Sequence, residues 1–158
     1  MQLRVPKADA RARYAPLPLT RARLTASADR EGVAALRDGD RATFWTSGGA
    51  MTGHEWIQVE FDHAVSVGRL RLDVAGGAPR YDPELSLATR RPGGEWAGVR
   101  SVSARPSLAE QAAARRPLSQ VLLLDARPIT GIRILQTGSR DVPWQVGELS
   151  LDARDGPS

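Results

Sequence analysis

Residues 36–45 read LRDGDRATFW, with Asp38 and Asp40 on either side of Gly39 and Thr43 close behind. Side chains of these types at this spacing are open to three chemistries. In an Asx-type turn the aspartates bond nearby backbone amides, while Gly39 reverses the chain. In a hard-cation site, calcium takes roughly six to eight oxygens from carboxylates, hydroxyls and carbonyls, and this stretch offers all three kinds. A catalytic carboxylate pair, as in glycoside hydrolysis, needs an acid and a base or nucleophile several ångströms apart, for which two aspartates on one tight turn are poorly placed. An EF-hand is excluded, because the D-x-[DN]-x-[DN]-G spacing and the closing glutamate are missing. On these residues alone, turn and metal site stand level.

The remaining candidates for catalysis are few. Neither His54 nor His63 lies in a helical H-E-x-x-H spacing, and no serine sits in a G-x-S-x-G elbow. The glycine pairs at 48–49, 76–77 and 93–94 lack the spacing and the following helix of a phosphate loop. The chain has no cysteine, which excludes a disulfide framework, a thiolate metal site and a cysteine nucleophile. The chain is therefore read as a non-enzyme. Its net charge of +4 is carried almost wholly by arginine, Lys7 being the only lysine. Arginine suits phosphate, anionic lipid or acidic glycan. These arginines are scattered, and no strand interleaves them with aromatics, so nucleic acid is not an expected partner.

The elements that must position these residues read mainly as strands. In EWIQVEF (55–61), Ile57, Val59 and Phe61 alternate with Trp56, Gln58 and Glu60; SVGRLRLDVA (66–75) sends Leu70, Leu72 and Val74 inward. PELSLATR (83–90) and the Pro-Gly-Gly turn after it predict a hairpin ending near Trp96. SQVLLLDA (119–126), ITGIRILQTG (129–138) and VGELSLDA (146–153) complete the series. Short strands without alternating helices predict an all-β, antiparallel sandwich. Helical signal is confined to one turn in REGVAALRDG (30–39) and the Ala-rich LAEQAAARR (108–116). Residues 1–19, with three prolines, are expected to be a linker or a strand from a neighbouring domain; 20–153 form the domain and 154–158 a frayed tail. No run approaches the roughly 20 apolar residues of a membrane span, and the first residues lack the apolar stretch of a secretory signal.

In order, LTASA (24–28), ALRDGDRATFWTSGG (35–49), EWIQVEF, VGRLRLDV (67–74), the Glu95-Trp96 pair, ITGIRILQTGS (129–139) and PWQVGELSL (143–151) form one series. That series resembles the discoidin domain, or coagulation factor 5/8 type C domain, and the related family 32 carbohydrate-binding modules. The resemblance spans about residues 20–153 and implies a galactose-binding-like jelly-roll β-sandwich. It also implies one structural calcium, held by the carbonyl of Ala35, the carboxylate of Asp38, the carbonyl of Asp40, Thr43 through carbonyl and hydroxyl, the carbonyl of Gly147 and the carboxylate of Glu148.

Ligands in this fold are taken by loops at one end, and His54, Arg80, Tyr81, Asp82, Arg140 and Trp144 are the expected contacts. Trp144, in the polar loop GSRDVPWQ, is the expected aromatic for stacking on a sugar. Trp45 and Trp56 are expected to pack in or beside the core, and Trp96 to cover a sheet face. No clear His, Arg and Asn set stands in register, so galactose itself is not assumed. The resemblance thus implies a non-catalytic module that targets a larger parent enzyme, a glycoside hydrolase or envelope glycosyltransferase, to a glycan or carbohydrate polymer outside the cytoplasm. The alternatives are binding of anionic lipid or a protein partner, with Met51 as the one apolar spike, or a structural domain packed on its parent.

Overall fold

The structure is a computed structural model that describes residues 13–40, 42–74, 84–99, 102–104 and 118–155. Within them lie ten strands: β1 (Arg13–Leu17), β2 (Arg23–Ala26), β3 (Trp45–Thr46), β4 (Glu55–Val74), β5 (Leu85–Arg90), β6 (Trp96–Val99), β7 (Val102–Ala104), β8 (Leu118–Leu123), β9 (Pro128–Gln136) and β10 (Gln145–Asp155). A 3₁₀ helix, Gly32–Arg37, is the turn expected ahead of the aspartates. The Ala-rich stretch 108–116 lies outside the described residues. All pairings between the strands are antiparallel.

β4 organises the sandwich. The alternation predicts two strands, 55–61 and 66–75, but the chain runs as one strand of 20 residues that serves both sheets. Its first leg lies between β2 and β9, in a sheet ordered β2-β4-β9-β5-β6. Its second leg lies between β10 and β8, in a sheet ordered β1-β10-β4-β8-β7 with β3 also on β10. The legs stay continuous because the bulge between Glu60 and Val65 is bridged: Val65 and Ser66 keep pairing with Ile129 and Pro128. Such a bulge bends a strand without ending its ladder.

The inward faces of both sheets meet in one apolar cluster. Ile57 and Val59 from the first leg, Leu70 and Leu72 from the second, Ile132 and Ile134 of β9, and Leu149 and Leu151 of β10 are all buried in it. Burying each such side chain stabilises the fold by about 1.5–3 kcal/mol, and this face sets the register of every strand that carries it.

The sandwich begins earlier than the sequence predicts. Residues 13–17, expected to be linker or borrowed strand, form β1 on β10, with Tyr14 opposite Arg154 and Leu17 opposite Leu151. Leu19 and Ala22 join the core. Pro16, a strand-breaking signal, is accommodated because β1 pairs on one side only, as its terminal place in the sheet order requires. β10 in turn continues to Asp155, past the expected boundary at 153, because Arg13 supplies its partner. Tyr14 fastens this edge: Arg69 lies 4.2 Å from its ring centroid and donates through Nε to the buried Asp152 carboxylate at 2.8 Å.

Candidate functional site

Strand direction brings the start of β4, the end of β9 and the start of β10 to one end of the sandwich, where two connecting loops meet. The 47–54 loop and the 137–144 loop are stitched together along their length. Ser47 N donates to the Trp144 carbonyl and Trp144 N donates to Ser47 Oγ, both at 2.9 Å. Further along, Met51 and Arg140 form an isolated antiparallel bridge, and Arg140 N donates to the Met51 carbonyl at 3.1 Å. The carbonyl of Glu84, just ahead of β5, accepts from Thr137 N at 2.8 Å. His54 and Arg140, both exposed, are thus carried on adjacent loops at this end. Arg80, Tyr81 and Asp82 lie outside the described residues.

Beneath these loops sit two buried polar side chains that the sequence reading passed over. Glu55 and Gln136 are register partners at the ends of β4 and β9, with exposures of 8% and 1%. The Glu55 carboxylate accepts from Thr52 N at 2.6 Å, from Thr52 Oγ1 at 3.1 Å and from Gly53 N at 3.3 Å, so it closes the turn that presents His54. Burial pushes its pKa up, but the hydrogen bonds from Thr52, Gly53 and His54 outweigh burial and hold it below the usual carboxylate value. Gln136 does the same for the facing loop, donating to the Gly138 carbonyl at 2.7 Å and accepting from Gly138 N at 2.5 Å. The signal was present in EWIQVEF: Glu55 shares the parity of Ile57 and Val59, so a charge stood on the buried face.

Trp144 is not the stacking aromatic that its loop suggests. It is 1% exposed and meets Trp45 edge to face, with ring centroids 5.3 Å apart and planes at 86°. The Ser47 bonds to its backbone hold Trp144 against Trp45 just ahead of β10. Met51, the expected lipid spike, is also buried, at 2% exposure. Its pairing with Arg140 and Val142 turns it into the core. Among the described residues the exposed large apolar side chains are Phe44 and Val99, which lie by different sheets and form no common patch.

LRDGDRATFW resolves as a closed turn beside β10. Gly39 has φ +69°, a conformation open to glycine and costly for other residues. Asp38 Oδ1 accepts from Asp40 N at 2.9 Å, Thr43 Oγ1 donates to Asp38 Oδ2 at 2.6 Å, and the Asp40 carbonyl lies 3.2 Å from the same hydroxyl. Glu148 reaches the turn from β10, its Oε1 accepting from Gly39 N at 3.2 Å. Gly147 has no register partner on β4, since the ladder passes from Val146–Val74 to Glu148–Asp73. This bulge turns the Gly147 peptide out of the regular ladder.

The turn therefore gathers the Asp38 carboxylate, the Asp40 carbonyl and the Thr43 hydroxyl beside the Glu148 carboxylate. This all-oxygen donor set of mixed charge suits calcium and does not suit a soft metal. Among the described residues, no three His, Asp or Glu side chains group around a common point. A cation here would rest on two carboxylates, with neutral oxygens completing its shell. Ala35, in the 3₁₀ helix, and Gly147 are the remaining expected carbonyl donors.

Two antiparallel sheets thus enclose one core, with the Asp-Gly-Asp turn clasped to the last strand. No protein-family profile matches the sequence, and no curated protein matches it. Solved structures do match. The F5/8 type C domain of a Bacteroides fragilis protein superposes with a TM-score of 0.71 at 16% identity, covering 90% of this chain and 98% of that one. The family 32 carbohydrate-binding module of Clostridium perfringens NanJ, in complex with galactose, gives 0.66 at 13% identity, covering 88% and 98%. Another C. perfringens module, CBM32-5, in complex with GalNAc-beta-1,3-galactose, gives 0.65 at 14% identity, covering 87% and 99%. The chain has the fold shared by F5/8 type C domains and family 32 carbohydrate-binding modules.

Proposed function

We propose that this chain is a non-catalytic carbohydrate-binding domain that holds a glycan at the end formed by the 47–54 and 137–144 loops. The observation that carries this reading is the pairing of those loops through Met51 and Arg140, which sets His54 and Arg140 on neighbouring supports above the Glu55 and Gln136 floor. An imidazole and a guanidinium fork on rigid supports can donate to sugar hydroxyls with little loss of side-chain freedom on binding. Arg80, Tyr81 and Asp82, which lie outside the described residues, stay in the proposed contact set on the sequence alone. The solved domains of the same fold that were bound to galactose and to GalNAc-beta-1,3-galactose support the ligand class.

In this reading Asp38, Asp40, Thr43 and Glu148, with the carbonyls of Ala35 and Gly147, hold a structural calcium. The ion would supply positive charge between the two carboxylates and tie the turn to β10. The domain serves a larger extracytoplasmic enzyme by keeping it close to a polymer, where weak affinity is enough to raise the effective concentration. A glycan array probed with the labelled domain, beside a His54→Ala/Arg140→Ala double variant, tests the loop end. Binding to a restricted set of glycans that disappears in the variant is the expected result. Anionic-liposome sedimentation at two salt concentrations tests the lipid alternative: salt-sensitive sedimentation without glycan binding would replace this reading.

A further inference from the structure

The outward face of the β2-β4-β9-β5-β6 sheet holds a second constellation, away from the loop end. Two of the chain's four tryptophans, Trp45 and Trp144, are buried against each other; the other two, Trp56 and Trp96, stand half-buried on this face. Trp96 reaches across β5 and lies over Gly131, where an added Cβ would come 2.7 Å from the indole Cη2. Between the two rings stands Arg133, its guanidinium carbon 4.5 Å from the Trp96 centroid and 5.9 Å from that of Trp56. Arg90 lies 5.2 Å from the Trp96 centroid.

The polar groups between them are held in a fixed order. Arg133 Nε donates to Gln58 Oε1 at 2.8 Å, Gln58 Nε2 donates to Glu60 Oε1 at 3.0 Å, and Arg90 Nη1 stands 3.7 Å from Glu60 Oε1. Arg23, exposed on β2, is the register partner of Glu60. This surface thus carries three arginines, Arg23, Arg90 and Arg133, against the Glu60 carboxylate, with only Arg90 among them within 4 Å of it. Beside Arg133 the register partner on β5 is Ala88, whose own partner on β6 is Gly98, so small residues leave the guanidinium flank open.

Two half-buried indoles with fork-shaped cations beside them offer apolar edges for sugar rings and paired donors for carboxylates. The excess of positive charge selects an acidic chain over a neutral one. We propose that this sheet face is a second binding surface, for a carboxylate-bearing glycan such as a polyuronate, distinct from the loop end. It takes the general ligand class from the proposed function but none of that site's residues.

The probe is polygalacturonate, with neutral galactan in parallel, followed by tryptophan fluorescence and affinity electrophoresis at low and physiological salt. The wild type should bind polygalacturonate with a fluorescence change and lose affinity as salt rises. Arg90→Gln/Arg133→Gln should weaken this by about tenfold or more, and Trp96→Phe, which keeps a ring over Gly131, should weaken it less. Thermal melts establish that each variant is folded. Arg140→Ala should leave polygalacturonate binding unchanged. Loss on Arg140→Ala with no effect of Arg90→Gln/Arg133→Gln would overturn the sheet-face site while sparing the loop end. Absence of polygalacturonate binding by the wild type would overturn it outright. Polygalacturonate binding that depends on the face, with no glycan bound at the loop end, would sustain this proposal and remove the other.

Discussion

Gly39 and Glu148 are joined by a hydrogen bond of 3.2 Å across 109 residues of chain, from the amide of a left-handed turn to a carboxylate on the last strand. The turn and β10 are therefore mutually positioned by the fold before any ion binds.

A cation at this junction would engage the folded chain alone, because unfolding separates its ligands. Calcium at about 100 times its Kd would add about 2.7 kcal/mol, which in a domain of this size raises Tm by about 5–10 °C. Asp38→Asn and Glu148→Gln are each expected to abolish that rise in calorimetry. Identical melts in calcium and in chelator would remove the ion from the account.

The Trp45–Trp144 pair is structural. Trp144→Ala should cost about 3–5 kcal/mol in urea unfolding, the range for emptying a large aromatic site in a core. Trp144→Phe should recover much of the loss and bind glycan as the wild type does. A stable Trp144→Ala domain that has lost only glycan binding would contradict the buried packing.

Glu55 links the loop end to pH. Its folded pKa lies below the ordinary 4.5 because hydrogen bonds from Thr52, Gly53 and His54 overcome the opposing effect of burial. Its contribution to stability is therefore complete above the ordinary value and disappears as pH falls through the folded one. Glu55→Gln should destabilise by about 1–3 kcal/mol at neutral pH and flatten the loss of stability on acidification below pH 4.5. Parallel pH–stability curves for wild type and variant would show that the carboxylate has no such role.

Gly53 is expected to tolerate no side chain. Its φ is +91°, and an added Cβ would lie 2.9 Å from the Thr137 carbonyl, on the facing loop. Gly53→Ala should cost about 1–3 kcal/mol and disturb the amide resonances of both loops in NMR spectra. Perturbation limited to residues 52–54 would mean that the two loops are not coupled.

Strand identity was legible because alternation is local: Ile57, Val59, Leu70 and Leu72 announce their faces within a few residues. The link between Asp38 and Glu148 was legible only through the order of motifs, since nothing in either segment names the other. What escaped was set by distant partners. Trp144 looks solvated until Ser47 holds it against Trp45, and Met51 looks like a loop tip until Arg140 pairs with it. Residues 13–17 look like a linker because Pro16 hides an edge strand whose partner lies at the far end of the chain. Glu55 was readable by parity, but a charge among inward positions gains meaning only once the Thr52 and Gly53 amides are seen around it.

The central claim is that the loop end holds a glycan, and the most direct measurement is glycan-array binding by the wild type and the His54→Ala/Arg140→Ala variant, both verified as folded. The account predicts saturable binding to a restricted set of glycans by the wild type and none by the variant. Failure of the wild type to bind any glycan, or equal binding by the two proteins, would contradict it.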